Sequence, residues 1–112
     1  MAIKESLCEN IAGERCGLKR VLDIVGGKWK ILILCIIDNQ DIVRYSELKR
    51  GIFGITNTML ANSLKELEED KLVVRKQYPE MPVRVEYSLT EKAKTLIPIL
   101  LELKKWGEEN IQ

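Results

Sequence analysis

The sequence contains no histidine and only three cysteines, Cys8, Cys16 and Cys35, in 112 residues. No CxxC pair occurs, so the spacing typical of a structural zinc site is missing. Without histidine the chain also lacks the usual base that activates a serine or cysteine nucleophile, and it has no glycine-rich phosphate loop. We therefore expect no metal site, no cofactor and no catalytic residues. An odd cysteine count also argues against a disulfide framework.

Long apolar runs are absent as well. The longest one, residues 31–37, is far shorter than the roughly 20 residues that a bilayer-spanning helix needs. The first fifteen residues are mixed in polarity and lack the apolar segment of a secretory signal peptide. The sequence predicts a cytoplasmic protein that does not enter a membrane.

The net charge is close to zero, because the sequence has 18 basic and 17 acidic side chains, which gives +1. This balance gives no global support for nucleic-acid binding, so that function must depend on local placement. Residues 19–50 carry seven basic against four acidic side chains, and residues 72–88 carry three against two. The neutral total therefore hides moderately basic patches in a chain whose 46% apolar content indicates one globular domain.

A helix predicted over residues 56–71 carries the clearest pattern. Leu60, Leu64 and Leu67 recur at helical spacing and predict one buried stripe. The opposite face of its first half carries short polar side chains and one lysine: Asn57, Thr58, Asn62 and Lys65. Amides can bond an adenine edge and lysine can meet guanine or phosphate, so we predict a DNA-recognition helix. The alternative for this face is an ordinary solvated helix surface. For Thr56 alone, the alternative is that its hydroxyl caps the helix by bonding the helix's own N–H groups.

A short helix precedes this one, predicted over residues 46–50 with Ser46 as its N-cap. The connecting residues 51–55 contain two glycines. A short helix, a glycine-containing turn and a second amphipathic helix form the helix-turn-helix signature. Residues 42–44 are expected to form a small strand that pairs with a later hairpin.

Two helices are predicted upstream, over residues 18–25 and 28–38. Gly26 and Gly27 separate them and are predicted to end the first with a left-handed C-cap. The second is almost wholly apolar and suits the centre of the domain. Residues 1–15 carry apolar side chains at four-residue spacing, which predicts a short helix or an arm that packs on a partner.

Residues 72–78 and 83–89 are predicted to form a hairpin around a proline-containing tip. Directly after a recognition helix, such a hairpin would be the wing of a winged helix. Arg75, Lys76 and Arg84 lie on it and are predicted to contact phosphate or the minor groove. The alternative is that they are surface strand residues paired with Glu80 or Glu86, which contributes little.

The last helix is predicted from a Thr90 cap to about residue 109, with Pro98 kinking or restarting it. It holds more apolar side chains than one buried face needs. The predicted external partner is the same helix of a second copy, because soluble oligomers are mostly twofold dimers.

Several segments together resemble the HxlR-type bacterial transcription regulators, which are relatives of the MarR group. The segments are Cys16, Gly26-Gly27-Lys28-Trp29, Tyr45-Ser46-Glu47-Leu48, Ile55-Thr56 with Met59-Leu60 and Leu64-Lys65-Glu66-Leu67-Glu68, and most specifically the stretch from Tyr78 to Glu91. The resemblance covers roughly residues 16–107. It implies an α+β winged helix-turn-helix fold in a single domain, 1–112. The motif would span about 46–71, the wing about 72–89 and a C-terminal dimerisation helix about 90–109.

The resemblance also implies a homodimer that binds a pseudo-palindromic operator in double-stranded DNA and regulates transcription. It would place the DNA contacts on Ser46, Thr56, Asn57, Thr58, Asn62, Lys65, Arg75, Lys76 and Arg84. Some members of the family sense electrophiles or oxidants through a cysteine just before the first helix, where Cys16 stands. The proline that commonly follows that cysteine is Gly17 here, so a response to an oxidant or small-molecule effector stays open.

Two alternatives stay open beside these expectations. The neutral charge favours a protein-interaction module on a winged-helix scaffold, without specific DNA binding and with Trp106 on its contact surface. Basic neighbours and a following helix N-terminus would favour the Cys16 thiolate, yet an unreactive thiol is the commoner outcome. Cys35, inside an apolar run, is predicted to be an inert core residue.

Overall fold

The computed structural model describes residues 16–112, so the prediction for residues 1–15 and the position of Cys8 lie outside the described residues. Helices and a small sheet alternate along this part of the chain, which confirms the α+β prediction. The elements are α1 Gly17–Val25, α2 Lys30–Gln40, β1 Ile42–Arg44, α3 Tyr45–Gly51, α4 Asn57–Glu69, β2 Val73–Tyr78, β3 Arg84–Leu89, α5 Glu91–Lys94 and α6 Ile97–Asn110. No helix within residues 16–112 is long and apolar enough to cross a membrane.

The sheet is antiparallel, with strand order β1-β3-β2. Strand β1 pairs with β3 as predicted, and the register places Val43 opposite Tyr87. On the other side of β3, Arg75 of β2 also lies opposite Tyr87. Residues that face each other in an antiparallel pair share one face of the sheet. The hairpin β2–β3, hereafter the wing, therefore forms one sheet with β1, and its Val73, Tyr87 and Leu89 belong to the core.

Helix α2 lies at the centre of the core, as its apolar sequence predicts. Its Ile33, Leu34 and Ile37 are fully buried. The predicted stripe of α4 packs into the same cluster, which includes Leu60, Leu64 and Leu67, each at most 1% exposed. Burial of each such side chain contributes about 1.5–3 kcal/mol. This packing fixes which face of α4 points outward.

The first helix of the motif begins earlier than predicted. Strand β1 runs directly into α3, so the N-cap is Arg44 and not Ser46, which is the second residue of the helix. The Glu47 carboxylate accepts a hydrogen bond of 2.9 Å from the backbone N–H of Arg44. The prediction failed because the sequence offers serine as the obvious cap, whereas the strand connection determines where the helix starts.

Gly26 and Gly27 were predicted to form a left-handed C-cap together, but the structure gives them different roles. Gly26, the C-cap, has φ −63° and is extended rather than left-handed. A Cβ at Gly26 would lie 2.2 Å from the carbonyl oxygen of Leu22, so this position excludes larger residues through close approach. The left-handed residue is Gly27, with φ +94°. Helix α2 then begins at Lys30, two residues later than predicted.

The predicted last helix is two helices, and Pro98 restarts it as expected. The turn at Thr95 and Leu96 separates α5 from α6, and Pro98 occupies the first turn of α6. Proline is tolerated there because the first helical N–H groups have no partner within the helix. The Thr90 cap is confirmed, since its Oγ1 accepts a 3.1 Å hydrogen bond from the N–H of Ala93.

The end of α4 is tied to the base of the wing. Lys71 adopts φ +60°, and the N–H of Leu72 donates back to the carbonyl of Leu67 at 2.9 Å, which closes a Schellman-type turn. Thr90 then donates its hydroxyl to the carbonyl of Lys71 at 2.8 Å and its N–H to the carbonyl of Leu72 at 3.1 Å. Lys92 donates to the carbonyl of Asp70 at 3.1 Å. These bonds satisfy the carbonyls that a helix end leaves open.

Candidate nucleic-acid interface

The N-terminal end of α4 is capped by Thr56. Its Oγ1 accepts a hydrogen bond of 3.1 Å from the backbone N–H of Met59. The hydroxyl oxygen is therefore used by the helix itself, as one of the two predicted alternatives has it. The Thr56 side chain remains exposed at the tip of the helix.

The outward face of α4 carries the predicted polar residues. Asn57, Thr58, Asn62 and Lys65 are all exposed. Lys65 forms no ion pair with any residue between 16 and 112. Its charge, the Asn62 amide and the Thr58 hydroxyl are thus available to an external partner. This combination suits hydrogen bonding to base edges and phosphates.

Tyr45 positions the start of α4, a role that the sequence did not reveal. Its hydroxyl donates to the backbone carbonyl of Asn57 at 3.1 Å and lies 3.4 Å from Oδ1 of the same residue. The first residue of α3 is thereby fixed to the first residue of α4. A tyrosine at the start of the preceding helix is too common a feature to signal this contact in advance.

The C-terminal half of α4 helps to hold the domain together. Glu66 forms an ion pair with Lys30 at the start of α2. Lys30 also donates to the carbonyl of Ile24 in α1 at 3.0 Å, and its side chain is 13% exposed. One lysine therefore connects α1 and α4. The acidic end of α4 faces the body of the protein at this point and contributes no cationic surface.

The basic residues of β2 lie on opposite faces of the wing. Arg75, opposite Tyr87, belongs to the face that turns toward the core, and its guanidinium donates to Oε1 of Gln77 at 3.1 Å. Burial raises the pKa of the Tyr87 hydroxyl, and Arg75 beside it acts in the opposite direction. Lys76, opposite Glu86, belongs to the other face and lies 5.0 Å from the ring of Tyr78. Both cations remain exposed, but one flat surface cannot contact both.

Arg84 is held inside the wing. Its guanidinium stacks 3.9 Å from the Tyr78 ring centre. It also pairs with Glu80 at 3.3 Å and with Glu86 at 3.6 Å. Its Nε is buried without a hydrogen-bond partner among the described residues. This geometry matches the alternative in which Arg84 is paired with the wing's own glutamates, so its charge is less available than that of Lys76.

Ser46 lies on an exposed turn of α3, facing a groove between this helix and the wing. The groove has a volume of about 440 Å³. Arg44, Tyr45 and Ser46 form one wall, and the wing tip from Glu80 to Val85 forms the other. Ser46 and Arg84 therefore lie on the two walls of one groove, and Tyr45 connects this groove to the start of α4.

The cysteines differ in position. Cys16 is half-buried and is the N-cap of α1, just before the first helix as the sequence predicts. Cys35 is half-buried against the core cluster. Burial, with a smaller effect of Asp38, raises the pKa of the Cys35 thiol. A protonated thiol reacts slowly, which agrees with an inert core role. Between residues 16 and 112, no group of three or more acidic or cysteine side chains is arranged to hold a metal ion.

A second uncovered surface lies away from α4, between α1 and α6. We call it the α1–α6 face. It contains a groove of about 610 Å³ whose lining is mostly aliphatic. Large apolar side chains remain exposed on both helices: Leu18, Val21, Leu22, Ile99, Leu103 and Trp106. Contiguous apolar patches of this kind usually mark an interaction surface.

A buried core helix, a helix-turn-helix unit and a β-hairpin directly after the second helix define the winged helix-turn-helix class. Residues 24–112 match the model of the HxlR-like helix-turn-helix family. The chain therefore belongs to this family, which confirms the resemblance seen in the sequence. It is a transcription regulator of the helix-turn-helix type, and the proteins it resembles are regulators rather than enzymes.

Individual relatives show how far the similarity extends. An uncharacterized HTH-type transcriptional regulator of Halalkalibacterium halodurans is 53% identical over 89 residues, which cover 80% of this chain and 79% of the relative. A structure from Porphyromonas gingivalis, assigned to the MarR family, superposes with a TM-score of 0.84 at 46% identity and covers 88% of this chain and 96% of its own. The redox regulator HypR in its oxidized form gives 0.77 at 45% identity, with 87% and 99% covered.

Proposed function

We propose that the protein is a cytoplasmic homodimer that binds a pseudo-palindromic operator sequence-specifically and so regulates transcription. The observation that supports this most directly is the exposed polar first half of α4. It holds Asn57, Thr58, Asn62 and Lys65 outward beside the wing. In this proposal the α4 side chains contact base edges in a major groove, and Ser46 and Thr56 contact the backbone.

The wing supplies the second contact. Lys76 and Arg75 extend from β2, and either can meet phosphates as the hairpin approaches the flanking DNA. Arg84 contributes mainly by holding the tip through Tyr78 and Glu80. We therefore expect Lys76 and Arg75 to contribute more to phosphate binding than Arg84, a difference that the sequence alone does not predict.

The second copy is proposed to pack on the α1–α6 face. Self-complementary twofold contacts are the commonest route to a soluble oligomer. The exposed Leu22, Leu103 and Trp106 supply apolar area that a monomer would leave in water. A twofold pair presents two α4 helices, which can enter successive major grooves about 34 Å apart.

A redox response is proposed for Cys16. It is the residue directly before α1, which contributes Leu18, Val21 and Leu22 to the α1–α6 face, so in this proposal a modification there acts where the protomers meet. Diamide accepts two electrons and two protons from the Cys16 thiol and a second cysteine thiol of the dimer, becomes the corresponding hydrazine, and leaves a disulfide between the two sulfurs. We expect diamide to weaken DNA binding of the native protein and to leave Cys16→Ser unaffected. A response that persists in Cys16→Ser would remove this residue from the mechanism.

The DNA-binding proposal is tested by selecting duplexes from a random library with the purified protein and titrating them by fluorescence anisotropy at several salt concentrations. We expect inverted-repeat sequences to be enriched. We also expect the affinity to fall by roughly 0.9 powers of the salt concentration for each phosphate contacted. No enrichment, together with binding that is absent or independent of salt, would favour the protein-interaction module instead.

A further inference from the structure

The groove between α3 and the wing contains an arginine whose side chain has no ion-pair partner among residues 16–112. Arg44 ends β1 and lines the groove, and its side chain is exposed. Its backbone N–H is bonded to Glu47. Its guanidinium forms no ion pair or hydrogen bond with any residue in the described range 16–112. The backbone at Arg44 is thus fixed by a strand and a helix cap, while its exposed guanidinium makes no ion pair with residues 16–112.

The carboxylates of the wing are paired with Arg84 rather than with Arg44. Strand pairing places Glu86 directly opposite it, on the same face of the sheet. Glu86, however, lies 3.6 Å from Nε of Arg84, and Glu80 across the groove pairs with the same arginine at 3.3 Å. Both acids of the wing are thus held by Arg84. Within residues 16–112 the Arg44 guanidinium therefore has no ion-pair partner and can bind an external anion.

The position of the groove relates it to α4. Tyr45 lines the groove and donates its hydroxyl to Asn57 at the first turn of α4. A DNA strand that passes beside the first turn of α4 toward the wing would therefore cross this groove. The opposite wall carries Met81 and Val83, which are 97% and 54% exposed and offer apolar surface to deoxyribose.

We propose that this groove is a binding site for the DNA phosphodiester backbone, with the Arg44 guanidinium on a phosphate and the Ser46 hydroxyl as a second donor. Arginine suits this role because its planar fork donates two parallel hydrogen bonds to a phosphate. The inference rests on the proposed function and adds a site to it. The contact fixes the position of the protein on the duplex and carries no sequence information.

The test compares Arg44→Gln with Lys104→Gln, which removes the same charge from α6 outside the groove. Anisotropy titrations use one library-selected duplex and one unrelated duplex at several salt concentrations. A dimer has two copies of Arg44, so we expect the slope of log affinity against log salt to fall by about two. Arg44→Gln should weaken both duplexes by the same factor, about tenfold or more at low salt. Arg44→Lys should retain the slope, and Lys104→Gln should match the native protein.

The outcomes separate the two proposals. If the native protein shows no salt-dependent binding to any duplex, the proposed function fails and this site fails with it. If the native protein binds but Arg44→Gln keeps its slope, only the groove site is overturned. A loss confined to the selected duplex would also overturn it, because it would make Arg44 a base contact. Circular dichroism melting checks folding, which we expect to persist because Glu47 accepts from the backbone of residue 44 and not from its side chain.

Discussion

The surface around α4 and the α1–α6 face are both uncovered, and their chemistry is opposite. The first presents short polar side chains and cations, such as Asn62, Lys65 and Lys76. The second presents aliphatic and aromatic side chains, with Leu22, Leu103 and Trp106 each more than half exposed. A chain with a net charge of only +1 thus separates two kinds of surface in space. In the proposed function, the polar surface binds DNA and the apolar surface binds a second copy.

The two surfaces should also respond differently to salt. Contacts with phosphates weaken steeply as salt rises, because bound counterions are released on association. Burial of apolar area contributes roughly 25 cal/mol per Å² and does not depend on screening in this way. Substitutions on the two surfaces can therefore be distinguished by their salt dependence as well as by their size.

The largest effect is expected on the α1–α6 face. Leu103→Gln places an amide where the dimer would bury a leucine in each copy, at a cost of about 1.5–3 kcal/mol per side chain. We expect the dissociation constant of the dimer to increase by more than about 100-fold and the affinity for the operator to fall as a result. Analytical ultracentrifugation over a range of concentrations measures the first effect. Lys104→Gln, one residue further along α6, should leave the dimer intact. Equal dissociation constants for the two variants would show that this face is not the dimer interface.

The next effect concerns sequence preference. Asn62→Ala removes an amide that can bond a base edge bidentately, a contact worth about 1–3 kcal/mol of discrimination. We expect preference at one base pair per half-site to fall about tenfold, while binding to unrelated duplexes is unchanged. Competition titrations with single-base variants of the selected duplex measure this. Asn39→Ala, an exposed asparagine at the end of α2, is the control, and a uniform loss on every duplex would make Asn62 a backbone contact.

A smaller effect is expected where the first surface is held in position. Tyr45→Phe removes the hydroxyl that bonds the carbonyl of Asn57 at 3.1 Å. Such a bond contributes about 0.5–1.5 kcal/mol, so we expect operator affinity to fall about threefold to tenfold, with unfolding free energy reduced by no more than that amount. Tyr78→Phe keeps the ring that Arg84 stacks on and should change neither quantity. Equal losses in both variants would contradict a specific role for Tyr45.

The smallest effect is expected at a residue that belongs to neither surface. Lys71 adopts φ +60°, which costs a side-chain-bearing residue about 1–2 kcal/mol. Glycine avoids this cost but gains freedom in the unfolded chain. We expect Lys71→Gly to stabilise the protein by about 0.5 kcal/mol without changing DNA binding. Urea unfolding at a fixed protein concentration measures it. Lys104→Gly, in the interior of α6, should instead destabilise by about 1 kcal/mol, and a loss of stability in Lys71→Gly would refute the argument.

Periodicity and capping chemistry were enough to predict most of the fold. Leu60, Leu64 and Leu67 identified the buried stripe of α4, and Thr56 and Thr90 identified two helix starts. The alternation in β3 predicted the strand that forms the middle of the sheet. These signals are local, because a few neighbouring residues determine them.

The remaining features depend on contacts between residues distant in sequence. Ser46 was predicted to cap α3, but the pairing of β1 with β3 determines where that helix starts. The hydroxyl of Tyr45 reaches Asn57, and Lys30 reaches both Ile24 and Glu66, only once the helices are packed. The division of labour among Arg75, Lys76 and Arg84 likewise follows from strand register, which composition alone does not supply.

The hydroxyl of Thr90 helps to fix the wing relative to α4. With its bond to the carbonyl of Lys71, the wing base and the end of α4 are fastened together, and Tyr45 fastens the other end of α4 to α3. Hydrogen bonds therefore connect α4 to the preceding helix at one end and to the base of the wing at the other. In the proposed dimer, the spacing between the two α4 helices would then be set at the α1–α6 face, and a change at that face would be enough to alter DNA affinity.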